Sequence, residues 1–232
     1  MATAAWEKFP VCDAVVLGGD LSQDGSKKAY RSIARIMLDY AAPVYAITGN
    51  HDNPEKMVEK LNPTVRFSMA VTSFRLQGWQ VVLVNSRDEG KVSGVISEAD
   101  IKALDQLLHK GADLHQLIIM HHHPSPVGSA WMDSIMLSNS DAFWKMAERH
   151  ASLKGVLFGH VHQDFDGMRG DVRLLGTPST TLQFKPGEDD FMMDDLSPGY
   201  RWLRLNEDGS IKSEVERIEG HIPPDLTDLT GY

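Results

Sequence analysis

The chain has 232 residues, 42% of them hydrophobic and 24% charged, with a formal net charge of -9. That length suits a single domain, residues 1–232, with a sizeable core. The acidic balance and the lack of any Lys/Arg cluster exclude functions that lean on basic patches, such as non-specific nucleic-acid or anionic-membrane binding. No apolar stretch approaches the roughly 20 residues that span a bilayer. A lone cysteine, Cys12, allows no internal disulfide and reads as a small buried filler; with no charged-then-apolar leader, a reducing cytoplasm is the expected compartment. The expected partner is a small, diffusible molecule, and a homo-oligomer stays open.

In chain order, Ala14 to Leu17 predicts a strand that ends in Gly18-Gly19-Asp20. Ser26 to Ala41 places Ala29, Ile33, Ile36, Met37 and Tyr40 at helical spacing, with Lys27, Lys28 and Arg31 outside, as in a crossover helix between parallel strands. Val44 to Ile47 predicts a second strand, ending in Thr48-Gly49-Asn50-His51-Asp52. Asn53-Pro54-Glu55 then opens a short helix to about Leu61. Val65 to Leu76 and Gln80 to Asn85 read as strand, turn, strand around Gly78. Ser97 precedes an N-capped amphipathic helix through Leu108. Leu117 to Met120 is a third apolar run and ends in His121-His122-His123; a second crossover helix follows over Ser140 to His150. Gly155 to Phe158, the fourth run, ends in Gly159-His160-Val161-His162. Val172 to Leu175, Arg201 to Leu205 and Ile211 to Ile218 suggest antiparallel strands, the last pair joined by Asn206-Glu207-Asp208-Gly209 as a hairpin turn. The tail from Pro223 reads as irregular surface chain.

Strands alternating with helices indicate an α/β fold, and ligands gather outside the carboxyl ends of strands in such sheets. One carboxylate (Asp20), one amide (Asn50) and several imidazoles therefore converge on one place. Mixed oxygen and nitrogen ligands favour zinc, manganese or iron over calcium, so the chain reads as a metallohydrolase. In the triple histidine only one residue need bind metal; His121, at the strand's end, is favoured over His122, with His123 a supporting or packing group. His160 and His162 point the same way if their segment stays extended, since side chains alternate with period two. Trp131, Phe184 and Tyr200 are candidates for stacking on a nucleotide base, though aromatic residues more often fill cores. His109, His115, His150 and His221 lack supporting context and read as surface residues. Glu188-Asp189-Asp190 with Asp194 and Asp195 reads as a solvated loop.

Gly19-Asp20, Gly49-Asn50-His51-Asp52, the His121 cluster and Gly159-His160-Val161-His162, in that order, resemble the calcineurin-like metallophosphoesterases. Gly19-Asp20-Leu21-Ser22-Gln23-Asp24, His121-His122-His123-Pro124, Ser129 to Asp133, Thr177 to Thr180 and Gln183 to Pro186 bring the chain closest to the bacterial class III 3′,5′-cyclic-AMP phosphodiesterases. The resemblance implies a four-layer α/β/β/α sandwich and two divalent metal ions (Fe, Mn or Zn). It makes Asp20 the carboxylate bridging both, completes the second site with Asn50, His121 and His160, and puts His162 on the first. His51 then sits beside the phosphoryl group, where it stabilises the transition state or protonates the leaving oxygen; Asn50, His51 and His162 face substrate. The implied reaction is hydrolysis of 3′,5′-cyclic AMP to 5′-AMP by a metal-bound hydroxide attacking phosphorus. Alternatives are other small diesters such as glycerophosphodiesters, or a catalytically idle nucleotide- or metal-binding regulator.

The family's first strand ends in Asp-x-His, which supplies two ligands of the first metal, and no such motif precedes Asp20. Met1 to Phe9 reads instead as the end of the helix that follows that strand. Asp13 lies at the start of its strand, away from the site, and is no replacement. The first site keeps only Asp20 and His162, and if this chain is the whole protein, weak occupancy and low activity are expected. The neighbouring strands are expected to expose unpaired N–H and C=O groups.

Overall fold

A computed structural model describes residues 11–220. The segments Met1 to Phe9 and Pro223 onward, and His221, lie outside the described residues.

The first half of the chain builds a parallel sheet from β1 (Val15–Leu17), β2 (Val44–Ala46) and β3 (Val65–Phe67), in the order β1-β2-β3. Its crossovers are α1 (Lys27–Met37) and α2 (Pro54–Leu61). Both helices begin where the sequence supplies a cap: the Ser26 hydroxyl accepts from the Ala29 N–H at 3.2 Å, and Asn53 accepts from the Lys56 N–H at 3.0 Å ahead of Pro54. A capping oxygen satisfies a donor the first helical turn leaves unpaired, and proline loses nothing in that turn.

The second sheet takes β4 (Thr72–Leu76), β5 (Trp79–Leu83), β6 (His115–Met120), β7 (Leu153–Phe158), β8 (Phe165–Arg169) and β9 (Val172–Gly176), in the order β4-β5-β6-β7-β9-β8. Its central strands β5, β6, β7 and β9 run parallel. Helices α3 (Glu98–Lys110) and α5 (Ser140–Ala147) belong to this half, as does the one-turn helix α4 (Ala130–Asp133). Two small hairpins complete the described chain: β10 (Gln183–Phe184) with β11 (Met193–Asp194), and β12 (Gly199–Leu205) with β13 (Ile211–Arg217).

Strand alternation sorts the apolar side chains into cores between layers. Val82, Val84, Ile118 and Met120 face Leu104, Leu108, Phe143 and Trp144 of the outer helices. Val81, Leu83, Leu117 and Ile119 face inward to Ile47, Val16 and Tyr45 of the first sheet. Val44, Ala46 and Val65 meet Tyr30, Met57 and Leu61 of α1 and α2 on the far side. Helices, sheet, sheet, helices: this is the four-layer α/β/β/α sandwich that the motif order implies.

Some elements differ from expectation. Val65 to Leu76 is not one strand; β3 stays in the first sheet and β4 crosses to the edge of the second. Strand β8 is added, turning at Gly170 (φ 57°) onto β9. On α1, Ile36 is 47% exposed while Tyr30 is fully buried, because the helix presents a face one position away from the apolar count. Cys12 is half-buried. Among the described residues β1 is an edge of its sheet, and the β12–β13 hairpin pairs only with itself. The hairpin is held sideways instead: Leu203, Leu205 and Ile211 join the inter-sheet core, and the Trp79 indole donates to the Asn206 carbonyl at 2.8 Å. No described helix is long and apolar enough to cross a membrane.

These burials predict a contrast. Phe143→Ala should destabilise by about 3–5 kcal/mol through a cavity beneath the second sheet, whereas Ile36→Ala should change stability by less than about 0.5 kcal/mol, both read by urea denaturation.

Candidate metal centre

The inter-sheet core sets the carboxyl ends of β1 and β2 opposite those of β6 and β7, so that four strand ends from two sheets meet in one place. Just past them the backbone takes conformations that L residues avoid. Asp20 (φ 52°), His160 (φ 61°) and His162 (φ 50°) are the non-glycine residues with positive φ among the described residues. Each costs on the order of 1 kcal/mol and persists only where the surroundings enforce it. The segment from His160 to His162 is thus not extended, contrary to the alternation argument; β7 ends at Phe158, and two left-handed residues curl the histidines in.

Glycines admit this crowding. A Cβ on Gly49 would stand 2.0 Å from Asp20 Oδ1, one on Gly19 2.5 Å from His121 Nδ1, and one on Gly159 2.8 Å from the Gly18 carbonyl.

Asp20 and His121 form the centre of the cluster. Asp20 Oδ1 accepts from the His51 backbone N–H at 2.9 Å, and Oδ2 lies 3.1 Å from His121 Nε2. His121 Nδ1 donates to the Gly18 carbonyl at 2.8 Å. A carbonyl only accepts, so Nδ1 carries the proton and Nε2 is the nitrogen turned to Asp20. Burial alone would raise the Asp20 carboxyl, but the charge and hydrogen bond of His121, helped by the His51 N–H, hold it well below the usual carboxylate range. Burial would lower His121 and Asp20 reverses that, leaving it raised. His160 and His162 feel burial first: His160 is pushed well down and His162 to about 4, so both stand as neutral imidazoles, the form that binds metal.

The donor set fits a divalent cation. Asn50 Oδ1 and His160 Nε2 are buried without a hydrogen bond, a costly state for polar atoms unless a ligand satisfies them. Asp20, Asn50, His121 and His160 offer oxygen and nitrogen together. The ring nitrogens of His121, His122 and His160 also lie within 4.8 Å of one another. His122, however, has both nitrogens engaged, Nδ1 with the Ser86 hydroxyl at 2.8 Å and Nε2 with the Val92 carbonyl at 3.0 Å. It backs the cluster from behind, with Gly94 pressed against its ring. His123 is buried, its Nε2 3.5 Å from Asp133 and its ring 5.9 Å from that of His160.

Other groups support the cluster; Asp52 ends one of the motifs, whereas Tyr30 and Asn85 carry no local sequence signal. Asp52 accepts from the Gly49 N–H (3.0 Å), the Leu21 N–H (3.2 Å) and the Tyr30 hydroxyl (3.0 Å), tying the loop after β1 to the loop after β2. Tyr30 in turn accepts from the Asn53 N–H at 2.8 Å. Across the sheets, Asn85 accepts from the Thr48 hydroxyl at 2.7 Å. The aromatic residues act differently from a base platform. Phe184 is 1% exposed and stacks flat on the His162 ring, 4.3 Å away at 5°, with Trp131 edge-on behind it. Tyr200 lies on the β12–β13 hairpin beside Trp202. His115 and His150 are half-buried, tied to the Glu207 carbonyl and to Asp105 respectively, while His109 is exposed.

A double-sheet sandwich whose strand ends bring a carboxylate, an amide and several imidazoles together is the frame of a metal-dependent hydrolase. Residues 3–164 match the family model of the calcineurin-like phosphoesterases. The chain is 37% identical over 223 residues, 96% of its length and 81% of the relative's, to the 3′,5′-cyclic adenosine monophosphate phosphodiesterase CpdA of Pseudomonas aeruginosa. It is 36% identical to CpdA of Escherichia coli K12, over 95% of this chain and 80% of that one. Among solved structures, a dimetal phosphatase from Danio rerio superposes with a TM-score of 0.66 at 15% identity, over 90% of this chain and 83% of that one. The chain belongs to the calcineurin-like phosphoesterase family.

Two substitutions probe the support. Gly49→Ala forces the Asp20 carboxylate aside and should abolish Mn²⁺ binding measured by calorimetry while far-UV circular dichroism stays native. Asp52→Ala strands two backbone donors and the Tyr30 hydroxyl and should cost about 3 kcal/mol of stability in chemical denaturation.

Proposed function

We propose that this chain is a metal-dependent phosphodiesterase that hydrolyses 3′,5′-cyclic AMP to 5′-AMP. Asp20, Asn50, His121 and His160 would hold one divalent cation, zinc, manganese or iron, and His162 with Asp20 would offer ligands to a second. The observation that carries the reading is the pairing of Asp20 with His121, beside buried, unbonded Asn50 Oδ1 and His160 Nε2, in a chain 37% identical over nearly its whole length to a cyclic-AMP phosphodiesterase. When bound, the cations supply Lewis-acid charge for the phosphoryl oxygens and lower the pKa of the attacking water.

The chain's own groups do the rest. Asp20 is oriented by the His51 N–H and stays ionised, so both its oxygens remain available as ligand atoms. The Gly18 carbonyl holds His121 in the tautomer that presents Nε2, and Phe184 fixes the plane of the His162 ring. His51 is half-buried and follows Asn50 directly, its backbone N–H bonded to Asp20. It donates a proton to the 3′ oxygen as the P–O3′ bond breaks and water's oxygen joins phosphorus, leaving 5′-AMP.

The test is turnover of cyclic AMP by the Mn²⁺-loaded protein, with 5′-AMP as product, against glycerophosphodiesters and bis(p-nitrophenyl) phosphate. Cyclic AMP should give the highest kcat/KM. Cyclic AMP that binds under saturating Mn²⁺ without being hydrolysed would overturn the assignment. His51→Ala should lower kcat by about 10²- to 10⁴-fold with metal content unchanged.

A further inference from the structure

Arg87 has no role in the site as described so far, yet its setting is unusual. Four arginines are partly buried among the described residues, and three of them are tied down. Arg173 pairs with Asp166, Arg201 with Asp164 and the Gly176 carbonyl, and Arg217 donates to the Ser197 carbonyl at 2.6 Å. The fourth, Arg87, has no ion pair or hydrogen bond to its guanidinium among the described residues, and its Nε is sealed from water. A buried donor left unsatisfied is costly, which is tolerable where a ligand supplies the acceptor.

The backbone places this arginine near the cluster. Side chains alternate along the extension of β5: Val82, Val84 and Ser86 face the helix side, where Ser86 holds His122, while Val81, Leu83 and Asn85 face the other sheet, where Asn85 holds Thr48. Arg87 follows Asn85 by two positions, and its own N–H donates to Asn85 Oδ1 at 3.0 Å, so the chain turns here against the residue that holds Thr48. In the parallel register Leu83 sits beside Ile119, so Asn85 stands level with His121. Arg87 then pairs through an isolated bridge with Gly94, whose backbone is pressed against the His122 ring, so its side chain starts within reach of the imidazole cluster.

We propose that Arg87 is an anion-binding residue of this site: its guanidinium, rooted beside the histidine cluster, takes an oxygen of the phosphoryl group. This rests on the phosphodiesterase reading, since a phosphodiester is the anion the centre would hold. A planar guanidinium suits two oxygens of one phosphoryl group, whereas a lysine offers only a point charge. The contact binds substrate and product alike, so its loss weakens binding more than it slows the chemical step.

Mn²⁺-loaded wild type, Arg87→Ala and Arg87→Lys should be titrated calorimetrically with inorganic phosphate and with 5′-AMP, and assayed for cyclic-AMP hydrolysis. Arg87→Ala should lose about tenfold to a hundredfold in affinity for both anions, with KM raised by more than kcat falls, and Arg87→Lys should recover part of each. Thermal stability of Arg87→Ala should equal or exceed that of wild type, since no internal bond is broken; should the alanine variant fail to fold, Arg87→Gln takes its place. Unchanged phosphate affinity overturns the proposal, as does wild type that binds no phosphate, or a loss seen for 5′-AMP but not for phosphate, which would put Arg87 on the nucleoside. If wild type binds phosphate but does not hydrolyse cyclic AMP, the titrations still decide Arg87 and the failure belongs to the reaction.

Discussion

The contact between Asp20 and His121 is where the two halves of the molecule become one site. Asp20 follows a strand of the smaller sheet and His121 ends a strand of the larger, and their side chains meet at 3.1 Å across the inter-sheet core. That contact demands close backbone approach, which accounts for Gly19, Gly49 and Gly159, and a left-handed turn at Asp20 itself. A carboxylate this buried is stable only with compensating charge. His121 provides it in the protein alone, and a divalent cation, as expected for the family, provides more.

The cost of assembling the site is spread over groups that touch no substrate. Asp52 and Tyr30 fasten the loops after β1 and β2 to each other, Ser86 and the Val92 carbonyl immobilise His122 behind the cluster, and Phe184 supports His162. Strained turns at three ligand candidates and several buried polar atoms without partners are features a purely structural core would shed. Their concentration at one point marks where stability has been exchanged for binding.

Much of this was legible in the chain. The four apolar runs, each followed by Gly-Asp, Gly-Asn-His-Asp or histidines, located strands, their order and the convergent residues, because burial and ligand chemistry both leave short-range patterns. What depended on distant partners was hidden. Nothing local separates Val65–Phe67 from Thr72–Leu76 into different sheets. Tyr30 sits one position off the apolar face of its helix and is buried because Asp52 waits for its hydroxyl. The histidines at 160 and 162 reach the cluster through two left-handed residues and not through strand periodicity. Asn85 and Arg87 fall outside every motif, and only contacts with distant chain, Thr48 for one and Gly94 for the other, set them beside the cluster.

The central claim is that Asp20 organises a metal centre on which phosphodiester hydrolysis depends. Metal content per chain, measured by inductively coupled plasma mass spectrometry after Mn²⁺ loading and desalting, with cyclic-AMP hydrolysis assayed on the same samples, tests it for wild type against Asp20→Ala. The account predicts at least one tightly held ion in wild type, and loss of both ion and hydrolysis in a variant that remains folded. An Asp20→Ala protein that keeps its metal and its turnover would contradict it.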